Sequence, residues 1–424
     1  MDHIQERTRK GVLSLASGGY MMRAYERLIR YAGIYTTSSE NREETPSTER
    51  QFQLSSLLAE EMRSMGMDNV SVDEHAYVYG FIPATEENSH SGKIALIAHL
   101  DTAPDFAGEK VCPQIVNNYD GSDIRLGDSG RVLSPALFPD LKKLIGHTLI
   151  TTDGTTLLGA DDKAGIAEIM TACEEILLEH LQHGPISVCF TPDEEIGHGA
   201  ALLSFDKLDA DYAYTVDGDD VDVINFETFN AAEAAVRVNG INVHPGSAKN
   251  KMINAAVVAM EFNALLPAAQ RPEHTECYEG FFHLTEMKGN VESAFMKYIV
   301  RDHSEYGFAE RKKCMQQAAA YLNEKYGEGT VCLKLRDQYR NMAEVLKNHP
   351  EVIERVESAI RKAGYEPKRV PIRGGTDGSQ LSFRGLPCPN LGTGGTAFHG
   401  PYEHISAENM DVMVKILKNI LTAP

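Results

Sequence analysis

The chain has 424 residues, 42% of them apolar and 24% charged, more than one ordinary hydrophobic core accommodates, so a globular protein of two domains is expected. A formal net charge of −20 excludes the clustered Lys/Arg face that binds nucleic acid or an anionic membrane, and it reads as a solubility feature. Seven cysteines without C-x-x-C spacing exclude a disulfide framework and a cysteine zinc site; they fit reduced thiols, and with no apolar run near 18 residues and no signal-peptide pattern a cytoplasmic protein is expected.

Residues 1–21 read as an extension outside the fold. From Ala24 to Gly66 the pattern is helical, interrupted by the polar loop "TTSSENREETPSTERQ", in which Pro46–Glu49 is expected to open the second helix. "KIALIAHLD" (Lys93–Asp101) is a short continuous apolar run typical of a buried strand, and "ISVCFTPDEE" (Ile186–Glu195) and "YAYTVDGDD" (Tyr212–Asp220) repeat it. Between the first two, Ile166, Ile169, Met170, Cys173 and Leu177 recur at three- and four-residue steps, predicting a helix from about Ala164 to His180. Strands alternating with helices imply an α/β layer on a largely parallel sheet. After about Asn230 the rhythm becomes β-α-β-β-α-β: "AEAAVRVNG", a helix over Asn254–Leu265, "GFFHLTEMKG", "MKYIVRD", a helix over Tyr306–Tyr326, and "TVCLKLRDQY". A small α+β domain at 230–340 is therefore expected within a larger α/β domain formed by 22–229 and 341–424.

Three predicted strands end in acid or imidazole: His99 and Asp101, Glu194 and Glu195, and Asp217. In an open α/β sheet, ligands gather beyond the carboxyl ends of the strands. Asp161 and Asp162 precede a helix and are able to face the same crevice, as is His399 after the Gly-rich "PNLGTGGTAFHG". Taken singly, each has an ordinary explanation. An acid before a helix is a cap, Glu194-Glu195 a solvated loop, "DGDD" a turn, and His99 or His399 a histidine meeting solvent. Together, two imidazoles and four or five carboxylates converging on one crevice repel without a cation. Such donors suit hard and borderline divalent ions, Zn²⁺ foremost.

Competing motifs are poor. "GDSG" (Gly127–Gly130) matches a serine-protease tetrapeptide but lies in a polar loop of an α/β chain. "GTGG" lacks the helix and acidic partner of a dinucleotide fingerprint, and no H-E-x-x-H helix occurs.

The strings "HLDTAPD", "LLGADDKAGIAEIM", "FTPDEEIGHGA", "YTVDG", "NVHPGSAKNKMINA", "EGFFHL", "MKGNVE", "RGGTDGSQLSFRGLPCPNLGTGG" and "FHG" run in order from about Met22 to near the end of the chain. In these the sequence resembles the peptidase T family of tripeptide aminopeptidases, co-catalytic zinc exopeptidases related to carboxypeptidase G and succinyl-diaminopimelate desuccinylase. The resemblance implies a zinc-exopeptidase α/β domain with a mixed, largely parallel sheet and an inserted ferredoxin-like lid domain. It implies two Zn²⁺ per subunit, held by His99, Asp161, Glu195, Asp217 and His399, with Asp161 bridging and Asp101 orienting His99. Glu194 corresponds to the general base and His244 to a lid residue that reaches the substrate carbonyl. Arg301 and Arg373 correspond to arginines suited to the far carboxylate of a short peptide. Relatives carry a cis peptide after the bridging aspartate, so one is expected between Asp161 and Asp162, the latter left to cap the helix or orient its neighbours. "FHGPYEHIS" departs from the family in carrying His404; the H-G-x-x-E spacing to Glu403 favours His399 as the ligand.

The implied chemistry is coherent. Two ions about 3.5–4 Å apart hold a bridging water and lower its pKa; Glu194 takes its proton and delivers it to the leaving amine. The expected substrates are tripeptides with a free N-terminus, and the expected assembly is a monomer or homodimer. A related di-zinc dipeptidase or N-acyl amino acid deacylase, and a non-catalytic peptide-binding protein on the same fold, are the alternatives.

Overall fold

The computed structural model describes residues 21–42, 44–88 and 91–422; the expected extension 1–21 thus lies, apart from Met21, outside the described residues. The chain divides into two compact units. The first comprises the described residues up to Ile224, His349–Arg369 and the segment from Gly385 onward; the second comprises Asn225–Asn348 and Val370–Arg384. Residues 370–384, expected from the sequence to lie with the α/β domain, cluster with the second unit.

The first unit is built on an eight-stranded sheet in the order Asp68–Val72, Val78–Ile82, Ile186–Thr191, Ile94–His99, Tyr212–Val216, Asn390–Leu391, Val223–Asn225, Lys368–Arg369. The first two strands pair antiparallel, as do the second and third; Ile94–His99 runs parallel to both its neighbours. Every residue of Ile94–His99 and of Ile186–Thr191 is buried. That is why these strands read as continuous apolar runs, since a sheet covered on both faces has no polar side to alternate with. The helix Ala160–Leu178 packs on Ile94–His99 and Tyr212–Val216, and against the helices Ala24–Ala32 and Ala407–Leu421. A Cβ at Gly165 would stand 2.0 Å from the Val216 carbonyl oxygen, so glycine is required for the start of this helix to approach the strand so closely.

The helix expected to open at Pro46 opens at Gln51. The backbone N–H and Oγ of Ser47 are instead committed to the Asp193 carboxylate, at 2.6 Å each, which holds this segment out of helical pairing. A second, four-stranded antiparallel sheet, in the order Gly395–Thr396, His404–Ser406, Leu149–Thr152, Pro113–Val116, was not apparent in the sequence; its strands are two to four residues long. "GDSG" turns the hairpin between Ile124–Leu126 and Arg131–Leu133, with Ser129 Oγ donating to the Leu126 carbonyl at 2.7 Å.

The second unit is a four-stranded antiparallel sheet ordered Phe281–Gly289, Ser293–Asp302, Asn230–Asn239, Val331–Tyr339, with the helices Ala255–Leu265 and Glu305–Tyr326 packed on it. This is the ferredoxin-like β-α-β-β-α-β sandwich. Strict alternation of burial along Ser293–Asp302 reflects one covered face, where Met296, Tyr298 and Val300 meet Phe262, Phe308 and Leu322. The caps are those the sequence carries: Asn254 Oδ1 accepts from Ala256 and Val257, and Ser304 Oγ accepts from Gly307. Among the described residues no helix is long and apolar enough to cross a membrane.

Candidate active site

Strand register brings the acidic strand ends of the first unit together. His99 pairs with Thr191 and Ile97 with Thr215 across parallel ladders. His99 and Asp217, two residues beyond Thr215, therefore reach one level, and Glu194 and Glu195 follow Thr191 on the neighbouring strand. The helix Ala160–Leu178 contributes Asp161 and Asp162, whose backbones (φ −83°, ψ 102° and φ −120°, ψ 32°) depart from helical values. The peptide between them is cis, as the resemblance implies. His399 comes from the turn joining Gly395–Thr396 to His404–Ser406 and adopts φ 59°.

His99 Nδ1 donates to the Asp101 carbonyl at 3.0 Å and lies 3.4 Å from Asp101 Oδ1. A carbonyl only accepts, so Nδ1 carries a proton, while Nε2 faces Asp161 Oδ1 (2.9 Å) and Asp217 Oδ1 (3.8 Å). Burial disfavours the charged ring, yet the hydrogen bonds to Asp101 and Asp161 hold it well above the ordinary imidazole value. His399 Nε2 lies 3.3 Å from Asp161 Oδ2 and 3.0 Å from Glu195 Oε2. Asp161 thus offers one oxygen to each histidine. Donor atoms of His99, Asp161 and Glu195 gather within 4.8 Å of one another, and so do those of His99, Glu194 and Asp217. The Asp101 carboxylate accepts the backbone N–H groups of Glu194 (3.0 Å) and Glu195 (3.3 Å), so it positions both acids as well as the histidine.

Electrostatics shows what this cluster is made for. Burial and the Asp161 charge push Asp217 well above the usual carboxylate range, and burial raises Glu195 as well. Burial acts against ionised Asp161 too, yet hydrogen bonds from His399 and His99 hold it below the ordinary value. Hydrogen bonds to Asp161 and Glu195 raise His399 to about 11. The acids outnumber the imidazoles, and Glu195 Oε1 is buried with no hydrogen-bond partner. A buried carboxylate oxygen left without a donor, where acids outnumber imidazoles, is costly unless a cation joins it. The donor set, imidazole nitrogen with carboxylate oxygen, suits zinc.

Supporting residues were only partly legible in the sequence. Asp162, fully buried, accepts from Gly165 N–H (3.1 Å) and from His99 N–H (3.2 Å), so it both caps the helix and ties it to the strand end. Glu403, 1% exposed, accepts from the amides of Leu158 (2.6 Å), Gly159 (2.9 Å) and Asp161 (3.0 Å); it links the turn that carries His399 to the loop that carries Asp161. Asp193, at φ 57°, is anchored by Ser47 and Gln51 and presents Glu194 and Glu195. Lys163 is buried and donates to the Ile34 carbonyl at 2.7 Å. The cap role of Asp162 was expected from the sequence and Glu403 was marked by the H-G-x-x-E spacing, whereas for Asp193 and Lys163 the only sequence signal was proximity to a motif. His404 is a buried strand residue whose Nε2 meets Thr396 Oγ1 (2.9 Å) and whose Nδ1 meets the Tyr402 carbonyl (2.8 Å), which leaves His399 alone at the cluster.

His244, Arg301 and Arg373 belong to the second unit. His244 is exposed, and its Nδ1 accepts from Gly246 N–H at 3.1 Å, so the neutral ring carries its proton on Nε2. Arg301 Nη1 donates to the carbonyls of Ala232 (3.3 Å) and Val300 (3.1 Å), with the guanidinium over the Tyr339 ring. Arg373 is more fully committed. Nη1 donates to the Cys277 and Glu279 carbonyls (2.7 and 2.8 Å), Nη2 to the Thr275 carbonyl and Oγ1 (3.3 and 2.9 Å), and the group stacks on Phe229 and Phe281.

Residues 151–423 match peptidase family M20/M25/M40. A peptidase T of Caldanaerobacter subterraneus subsp. tengcongensis is 49% identical over 404 residues, covering 95% of this chain and 98% of the relative. The solved structure of a Staphylococcus aureus tripeptidase aligns with a TM-score of 0.75 at 20% identity, covering 95% of this chain and 98% of that one. A dinuclear metal-binding M20 peptidase of Bacillus subtilis aligns with a TM-score of 0.61 at 13% identity, over 94% and 97% of the two chains. With half of its residues identical to such a relative over almost its entire length, the chain belongs to the peptidase T group of peptidase family M20/M25/M40.

Proposed function

We propose that the protein is a di-zinc aminopeptidase that releases the N-terminal residue of tripeptides. The observation that carries this is the convergence of His99, Asp161, Glu195, Asp217 and His399 beside Glu194, with Asp161 dividing its two oxygens between the two histidines. These five side chains would hold two Zn²⁺. Bound there, the ions supply Lewis acidity and a water acidified towards neutrality.

The remaining work falls to the chain. Glu194, its backbone pinned by Asp101, takes the proton of the attacking water and returns it to the leaving amine. His244, whose Nδ1 is occupied by Gly246, has Nε2–H to donate to the oxygen of the scissile carbonyl as charge develops there. Arg301 takes the far carboxylate of the peptide, for which a planar guanidinium is suited. Arg373, held by the 275–279 segment, is the second arginine suited to that carboxylate. A cytoplasmic location belongs to the same reading and is supported by seven free thiols.

The decisive experiment combines metal analysis with hydrolysis of di-, tri- and tetrapeptides with free or blocked N-termini. Two zinc ions per chain and preferential cleavage of free tripeptides are expected. Preference for dipeptides or N-acyl amino acids moves the assignment to a related amidohydrolase, and inactivity of the metal-loaded protein on every short peptide moves it to a binding protein. Chelation is expected to abolish turnover, with recovery on adding Zn²⁺; activity that survives complete metal removal refutes the metal role. His244→Ala is expected to lower kcat by about 10²–10³-fold, the usual worth of an oxyanion donor, with metal content unchanged. Unaltered kcat removes His244 from the chemistry.

A further inference from the structure

Each histidine of the centre has an aspartate carboxylate near its Nδ1, at 3.4 Å for His99 and 3.3 Å for His399. His99 directs Nε2 to Asp161 and Nδ1 to the Asp101 carbonyl, with the Asp101 carboxylate 3.4 Å from Nδ1. His399 directs Nε2 to Glu195 and Asp161, and its Nδ1 lies 3.3 Å from Asp105 Oδ2. Asp101 and Asp105 stand four residues apart in "HLDTAPD", the segment that leaves the central strand at His99. One short loop therefore supplies the first histidine, its carboxylate and the carboxylate that meets the second histidine.

His399 has the greater need of such an anchor. The His99 side chain is 2% exposed and enclosed by its strand, whereas that of His399 is 42% exposed, on a turn residue with positive φ. A neutral imidazole has two tautomers, and only one leaves the lone pair on Nε2. A carboxylate at Nδ1 selects that tautomer, fixes the ring plane and raises the basicity of Nε2.

We propose that Asp105 is a positioning residue that accepts the Nδ1–H of His399 and aims its Nε2 at Asp161 and Glu195. This rests on the reading of His399 as a metal ligand. The competing description is an exposed ion pair without consequence, since the Asp105 side chain is 65% exposed and such pairs contribute little. Exposure also makes the test clean, because replacing Asp105 leaves the core untouched.

The experiment is a competition titration of the full-length protein and its D105A and D105N variants with Zn²⁺ against a chromophoric chelator, paired with the absorption spectrum of the Co²⁺ forms. D105A is expected to bind one ion about 10–100-fold more weakly than wild type while the affinity for the other is kept. D105N, which retains an acceptor oxygen, should fall between the two. The Co²⁺ spectrum should change in D105A, while the thermal midpoint of the metal-free protein stays at the wild-type value. Two wild-type affinities and an unaltered spectrum in D105A overturn the role of Asp105 and leave the proposed function standing. Equal weakening of both ions overturns it too, by pointing to a general loss of charge. A wild-type chain that takes up no ions overturns the metal reading itself and this proposal with it.

Discussion

Glu194→Gln is expected to lose about 10²–10⁴-fold in kcat, the range supplied by a positioned general base, and to retain its full complement of metal. The substitution is nearly isosteric, and the anchor of this turn is the backbone N–H of residue 194 on Asp101 Oδ1 at 3.0 Å, which glutamine leaves intact. What changes is the ability to hold a proton and then release it. Donor atoms of Glu194 lie within 4.8 Å of those of His99 and Asp217, so a second role, as a ligand, is geometrically open. Steady-state kinetics with metal analysis separates the two. A variant that keeps metal and loses turnover has lost its base, a variant that loses an ion has lost a ligand, and one with a tenth or more of wild-type kcat has lost neither.

Glu403→Ala should be the most destabilising single change near the site. Three backbone N–H groups, those of Leu158, Gly159 and Asp161, end on this one carboxylate, which is 1% exposed. Burial pushes the Glu403 carboxyl up to about 7, so the cost rests on the donors: truncation leaves three buried N–H groups with no acceptor, and the loss should reach about 3–5 kcal/mol. Activity should fall with stability, because the same amides set the backbone of Asp161 and the same turn carries His399. Denaturant unfolding of the metal-free protein measures the first effect and kinetics at saturating Zn²⁺ the second. Unchanged unfolding and full activity in the alanine variant would show that Glu403 does not organise the loop.

How far the sequence went is clear from particular elements. The strands ending at His99, Thr191 and Val216 were legible because burial on both faces leaves an uninterrupted apolar run. The β-α-β-β-α-β rhythm of the second unit was legible because its strands run nine or ten residues, long enough for an alternating stretch to show, most fully in Ser293–Asp302. The sheet that carries His399 was not, since strands of two to four residues have no room for a period. Nor was the start of the helix Gln51–Met65, where Ser47 is held by a carboxylate 146 positions away. Arg373 shows the same limit. The motif suggested an arginine for substrate, and only the fold shows that its guanidinium also meets the carbonyls and hydroxyl of its own unit.

The two aspartates at 161 and 162 divide the matter most sharply. By itself the sequence determined that acids and imidazoles cluster at strand ends of an α/β layer, because residue types and apolar periodicity are local properties, and it determined the family, because its motifs run along nearly the whole chain. Only the tertiary structure decided which atom meets which. It turned Asp161 to two histidines 238 and 62 positions away and Asp162 to a helix amide and a strand amide. It also placed the amides of 158, 159 and 161 on Glu403. Those assignments depend on strand register and on contacts between distant segments, and no local pattern encodes them.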